Sequence, residues 1–232
     1  MLVNAAALPA GPGLHDALPL GTVYGTLLNH RAALAALGAA VHAAPYKAPP
    51  KAPVLYIKPR NTFAGAGTCV RVPAGVDELE IGATLGIVFG RDACRVAEAD
   101  ALGCVAGYTV CNDLSVPHAS FYRPSLRFKC RDGFLPIGPW VVAAQRVPHP
   151  DALAVRVSID GRIVQHTSTA GMQRPVARLI AEVSAFMTLA AGDVLMLGVA
   201  ADAPRARAGQ RVRIEIDSIG ALETPLAAQD AA

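Results

Sequence analysis

The familiar shorthand of catalysis is scarce in this chain. No G-x-G-x-x-G and no Walker motif follows a candidate strand, so nucleotide binding has no support. No G-x-S-x-G elbow surrounds Ser115, Ser120, Ser168 or Thr169, so acyl-enzyme chemistry at a hydroxyl lacks its local signature. Five cysteines (Cys69, Cys94, Cys104, Cys111, Cys130) form an odd set without a C-x-x-C pair. They suggest neither a zinc site nor a disulfide framework, and they fit a reducing cytoplasm. Charged residues are only 17% of the chain, and a net charge of +3 with scattered arginines is too little to argue for nucleic acid. Apolar runs such as Val194 to Leu197 are far too short to span a membrane. Met1 to Leu20 is apolar, but it lacks a basic start and is interrupted by Pro9, Pro12 and Gly13. It reads as a ragged extension and not as a signal peptide. No solenoid-length repeat is present.

What is there is a globular chain. Apolar residues make up 53% of 232 positions, enough to bury one sizeable core behind a short N-terminal appendage. The Ala/Leu-rich stretch from Arg31 to about Ala44 predicts a helix ended by Pro45. Pro45 to Pro53 is too proline-rich for helix or central strand and reads as an extended loop leading to a strand at Val54–Ile57. Leu85–Phe89 and Tyr108–Cys111 read as buried strands. VRVSI and RIV flank Asp160-Gly161, a dipeptide suited to a type I′ turn, so a hairpin is expected over Val155–Val164. Apolar positions at helical spacing predict a helix over Arg174–Leu189. Strands follow at Val194–Leu197 and, with strict alternation, at Arg211–Ile216. Many short strands with two convincing helices argue against a doubly wound parallel sheet and for a strand-dominated α+β fold.

The chemistry concentrates between Gly107 and Trp140. Asp113 ends a predicted strand, where a carboxylate can coordinate Mg²⁺ or simply cap the loop as an Asx turn. Arg127, Lys129 and Arg131 alternate, which on a strand would gather them on one face as a carboxylate-binding surface beside Arg123 and Asp132. The same pattern also suits a solvated edge strand. Pro136-Ile137-Gly138-Pro139 reads as a rigid turn behind them. His30 opens the first helix as either a general base or a cap. His118 and His166 have no partner at metal spacing, and Cys111 and Cys130 read as core residues.

Together these pieces resemble the fumarylacetoacetate hydrolase family over roughly Val23 to Pro225. The matching segments are Tyr56-Ile57-Lys58-Pro59, Leu85 to Gly90, Gly107 to Asp113, Lys129 to Phe134, Pro136 to Trp140, Gln165…Thr169…Met172 and Ala191 to Val194. Leu28 to Arg31, Tyr46 to Lys51 and Phe121 to Pro124 resemble one branch of it, the isomerase/decarboxylases of 4-hydroxyphenylacetate (homoprotocatechuate) degradation, and in particular their N-terminal half. The resemblance implies a strand-dominated mixed β-sheet roll or sandwich with few helices, one domain over residues 23–232 behind an extension at 1–22, and a cytoplasmic enzyme. It implies decarboxylation of 5-oxopent-3-ene-1,2,5-tricarboxylate followed by isomerisation of the resulting hydroxy-diene-dioate, 2-hydroxyhepta-2,4-diene-1,7-dioate. The implied partners are a small polycarboxylate, a second copy of the chain and a paralogous C-terminal-type subunit, with neither nucleic acid nor membrane. By the same resemblance Lys129, Asp132 and His30 are the candidate catalytic residues. Arg123, Tyr122, Arg131, Arg127, Lys58 and Gln165 are candidates for substrate binding, and Asp113 for a divalent metal such as Mg²⁺.

The departures from the family pattern carry as much information. The family's Glu-x-Glu falls on Gly82 and Thr84, leaving Asp113 as the remaining metal carboxylate of three. Glu78-Leu79-Glu80 has the same parity but lies four residues upstream, ~13 Å away along an extended strand. The family's Gly-Thr-Pro is Gly198-Val199-Ala200 here, and its early histidine falls near Ala33, one helical turn from His30. Two further readings therefore stand beside the enzyme: a metal-depleted structural or regulatory partner of a catalytic paralogue, and a general diketo-acid hydrolase of the family.

Overall fold

The computed structural model describes residues 7–119 and 125–229. Tyr122 and Arg123, and with them the Phe121 to Pro124 segment, lie outside the described residues. In chain order the elements are β1 (Ala7–Leu8), β2 (Leu18–Pro19), β3 (Val23–Leu27), α1 (Arg31–Ala35), β4 (Val54–Lys58), β5 (Phe63–Ala64), β6 (Val70–Val72), β7 (Leu79–Glu80), β8 (Ala83–Phe89) and β9 (Val105–Asn112). There follow α2 (Leu126–Lys129), β10 (Leu135–Ala143), β11 (Ala154–Ile159), β12 (Arg162–Ser168), α3 (Val176–Ser184), β13 (Val194–Met196), β14 (Arg205–Ala206), β15 (Arg211–Ile216) and β16 (Gly220–Ala228). Strands dominate, as expected. They form a seven-stranded sheet in the order β4-β3-β13-β8-β9-β10-β5 and a five-stranded sheet in the order β12-β11-β15-β16-β6.

β8 explains its own sequence. All seven of its residues are buried, because it lies in the middle of the larger sheet with both faces covered. Leu85, Ile87 and Phe89 point into the main core between the two sheets, where they meet β11, β15, β16 and the apolar face of α3. Val88 points the other way, into a smaller cluster with Leu8, Leu20, Val23, Leu135 and Val194. The hairpin forms where expected, with Asp160 and Gly161 at φ of 50° and 82°.

Four expectations are corrected. Residues 7–20 are not a ragged extension: Leu8 is buried, and Pro9 and Gly11 exchange backbone hydrogen bonds with Val141 of β10. The first helix keeps only Arg31–Ala35 and then tightens into a 3-10 turn at Gly38–His42. It buries no residue on any face, and a short helix without tertiary packing does not propagate. Arg127, Lys129 and Arg131 do not share a strand face. Lys129 N–H donates to Ser125 O and Cys130 N–H to Leu126 O, so the run closes into the helical turn α2. The Pro136–Pro139 segment is likewise part of β10 rather than a turn behind the site.

Candidate functional site

The site is assembled at the ends of β4 and β9, with Lys129 delivered by α2. In β4 the two-residue strand period places Tyr56 and Lys58 on one face, and they converge on Asp113 just past β9. Lys58 Nζ is fully buried and donates to Asp113 Oδ1 (3.0 Å), to Lys129 O (2.6 Å) and to Phe134 O (3.0 Å). Lys129 Nζ donates to Asp113 Oδ2 at 2.7 Å and sits 5.3 Å from the centroid of the Tyr56 ring. The Tyr56 hydroxyl donates to the same Oδ2. Gly25 faces Tyr56 across the β3–β4 pair, and a Cβ there would lie 2.0 Å from the ring, so only glycine lets the phenol settle over the sheet.

The electrostatics follow from this packing. Burial raises the Asp113 pKa, but Lys129 and Lys58, together with their hydrogen bonds and that of Tyr56, override it and hold the carboxyl well below its ordinary range. Burial lowers the Lys58 pKa, opposed by Asp113 and reinforced by Lys129. Its three acceptors nevertheless require three N–H groups, so the geometry is that of an ammonium ion. Burial and the neighbouring Asp113 push the Tyr56 phenol well up, and burial pushes up the thiols of Cys111 and Cys130, so all three stay neutral at physiological pH.

Asp113, Lys129 and Tyr56 open onto a cavity of about 70 Å³. Its walls include Thr26, Leu28, Ala33, Gly82, Val199 and Ala200, with Glu80 and His118 also contributing. His118 stacks on Phe128 with ring centroids 4.9 Å apart, and its Nδ1 lies 3.0 Å from Val116 O.

Of the residues expected in the site, the structure brings together Lys58, Lys129 and Asp113. Tyr122 and Arg123 are outside the described residues, and the other expected residues lie elsewhere. Asp132 is held by Asn61 at 2.8 Å and lines a separate groove with Arg131, Phe63 and Phe134. Arg131 donates to Arg127 O, and Arg127 lies over Phe128. Gln165 donates to the carbonyls of Ala201 and Asp202. His30 caps α1, with Nδ1 accepting from Ala32 N–H, in a depression that it shares with Thr84, Met172 and Gly198. Burial and Arg31 lower its pKa.

Tyr56 and Glu80 are the site residues that sequence reasoning passed over. The shared parity of Tyr56 with Lys58 was the available signal for the first. Glu80 continues the ladder of β8 with β9: it pairs with Ser115 and Gly82 O accepts from Asp113 N–H, so Glu80 lines the cavity from a place four residues before Thr84 on the same extended run. Glu78 is turned away and pairs with Arg207 at 2.9 Å.

The residues do not fit a divalent cation. Both Asp113 oxygens are occupied by hydrogen-bond donors, two of them ammonium groups that would repel a metal ion. Gly82 brings no ligand, and the Thr84 hydroxyl accepts from Gly198 N–H at 3.0 Å. Among the described residues no three His, Cys, Asp or Glu side chains converge. A Thr84→Val variant leaves that Gly198 N–H buried without an acceptor and is expected to lose ~1–2 kcal/mol in urea denaturation.

The fold and this site define a known class. The chain belongs to the fumarylacetoacetate hydrolase family: the family model described as "Fumarylacetoacetate (FAA) hydrolase C-terminal" matches residues 22–227. It is 42% identical over 206 residues to the 4-hydroxyphenylacetate degradation bifunctional isomerase/decarboxylase of Escherichia coli, an alignment covering 89% of this chain and 47% of that protein. The chain thus spans about half the length of curated relatives such as this one. Among solved structures it is similar to 5-carboxymethyl-2-hydroxymuconate delta-isomerase from Mycobacterium smegmatis (TM-score 0.78, 27% identity, 93% of this chain and 82% of that one). It also shares the fold of fumarylpyruvate hydrolase from Pseudomonas aeruginosa, solved with Mn²⁺ and pyruvate (TM-score 0.81, 23% identity, 96% of each chain). Among the described residues no helix is long and apolar enough to cross a membrane.

Proposed function

We propose that this chain is the N-terminal-type subunit of a decarboxylase/isomerase acting on 5-oxopent-3-ene-1,2,5-tricarboxylate and 2-hydroxyhepta-2,4-diene-1,7-dioate. The observation that carries the reading is the 42% identity to the E. coli isomerase/decarboxylase across nearly the whole chain. The site is compatible with it. Loss of CO₂ from such an acid sends an electron pair toward the oxo group, and a cation beside that oxygen stabilises the enolate that forms. Lys129 is the cation on the cavity wall, Asp113 fixes it, and Lys58 fixes Asp113 from behind.

A second reading has an observation of its own. The glutamate positions of the family are Gly82 and Thr84, both built into the sheet, which suits a structural or regulatory partner of a catalytic paralogue. One assay separates the two. Decarboxylation and isomerisation are followed with the purified chain alone and with an added paralogue bearing the complete Glu-x-Glu…Asp set. Turnover by the chain alone supports the enzyme, and stimulation of the paralogue without autonomous turnover supports the partner. Neither effect would overturn both.

A further inference from the structure

We propose that Lys129 Nζ is the resident cation of this cavity, and that it holds the carboxylate of a small planar acid without any divalent metal. The inference deepens the reading of the cavity as a substrate site and rests on it.

Charge counting supplies the first argument. Lys58 and Lys129 bring two positive charges to Asp113, which returns one negative charge, so the buried trio carries an excess of one positive charge. Tyr56, Cys111 and Cys130 stay neutral and cannot offset it. Glu80 shares the cavity, yet among the described residues it forms no ion pair with either lysine. Among the described residues that excess charge has no bonded counter-ion, which favours an anionic occupant.

Hydrogen-bond counting says which lysine meets that occupant. Lys58 spends its three N–H groups on Asp113, Lys129 O and Phe134 O and faces no solvent. Lys129 spends one on Asp113 Oδ2, remains 7% exposed and lines the cavity. Its other N–H groups can serve a carboxylate oxygen and an oxygen beside it as charge-assisted hydrogen bonds. The cavity is roomy enough for a carboxylate-sized head, and Leu27, Leu28, Ala33, Val199 and Ala200 give it a largely apolar wall that strengthens those bonds.

The occupied Asp113 oxygens make the third argument. An ammonium ion stands on each of them, so the positive charge that a metal would bring to the site is already present in the chain.

Oxalate is the probe, titrated by calorimetry into the full chain freed of metals and held in excess EDTA, then repeated with Mg²⁺ or Mn²⁺ replacing the chelator. Binding is expected in EDTA, unchanged within about twofold by either metal. Lys129→Met is expected to weaken it at least ~10-fold, the loss of a charge-assisted bond, and Lys129→Arg to retain it within several-fold. Thermal melts of both variants confirm that they remain folded. Oxalate binding that appears only with Mg²⁺ or Mn²⁺, or that survives in Lys129→Met at full strength, overturns the inference. So does an absence of binding in EDTA. Turnover is a separate readout: a chain that binds oxalate in EDTA but neither catalyses nor stimulates decarboxylation or isomerisation sinks the proposed function and leaves this inference standing.

Discussion

An Asp113→Ala variant is expected to lose about 3–5 kcal/mol of folding stability, measured as the shift of the urea or guanidinium midpoint. Asp113 is the only carboxylate bonded to the two buried lysines and the Tyr56 hydroxyl among the described residues. Its removal leaves two ammonium groups facing each other with no counter-ion, which is the costly way to break a buried pair. pH gives the effect a signature. The folded-state pKa of Asp113 is depressed, so its contribution is fully present above the unfolded value of about 3.9 and is lost as pH falls through the folded value. The wild-type chain should therefore have an acid limb that starts near pH 4, and Asp113→Ala should lack that portion of it. The variant should also recover some stability as pH rises toward the lysine range, because a buried lysine can shed its proton and with it the unpaired charge. A variant with wild-type stability and an unchanged acid limb would mean that the trio contributes nothing to the fold.

The parts of the fold that were legible in the sequence are those where a single physical cause dominates a short segment. β8 reads as buried because every residue from Ala83 to Phe89 is covered on both faces, and β15 alternates because one face alone is covered. Asp160-Gly161 reads as a turn because its backbone takes positive φ twice. The site was legible in kind but not in assembly. Parity could place Tyr56 and Lys58 on one face of β4, yet nothing local says that this face meets Asp113, 55 residues further along. The run from Leu126 to Arg131 misled because an alternation over only five residues, Arg127 to Arg131, fits a strand as well as a turn of helix. The deciding hydrogen bonds, to Ser125 O and Leu126 O, are not written in the pattern of side chains. Glu80 lines the cavity because it stays in register opposite Ser115, as Ala83 does opposite Asn112, and that pairing of distant segments is not written in the local sequence.

Gly82 is where the departure from the family becomes a property of the backbone. A Cβ at that position would lie 2.3 Å from Asp113 O and 2.9 Å from Asp113 C, both main-chain atoms that cannot swing aside. The strands are held at that spacing by the hydrogen bond from Asp113 N–H to Gly82 O at 2.9 Å. Gly82→Ala is therefore expected to cost ~2–3 kcal/mol as β8 and β9 are forced apart, read from denaturation midpoints beside the smaller loss at Thr84→Val. The same contact limits any attempt to rebuild a metal site. In a Gly82→Glu/Thr84→Glu double variant, the first new carbon already meets the Asp113 backbone, and the second change removes the hydroxyl that satisfies Gly198 N–H. Lys58 and Lys129 would still occupy both oxygens of Asp113. The double variant should melt lower than the parent and bind Mn²⁺ no more tightly in a calorimetric titration. Tight Mn²⁺ binding by a well-folded double variant would show that the metal site was lost through two side chains alone. The geometry says otherwise: the Asp113 main chain fills the space a side chain at position 82 would need, and two lysines hold the Asp113 carboxylate.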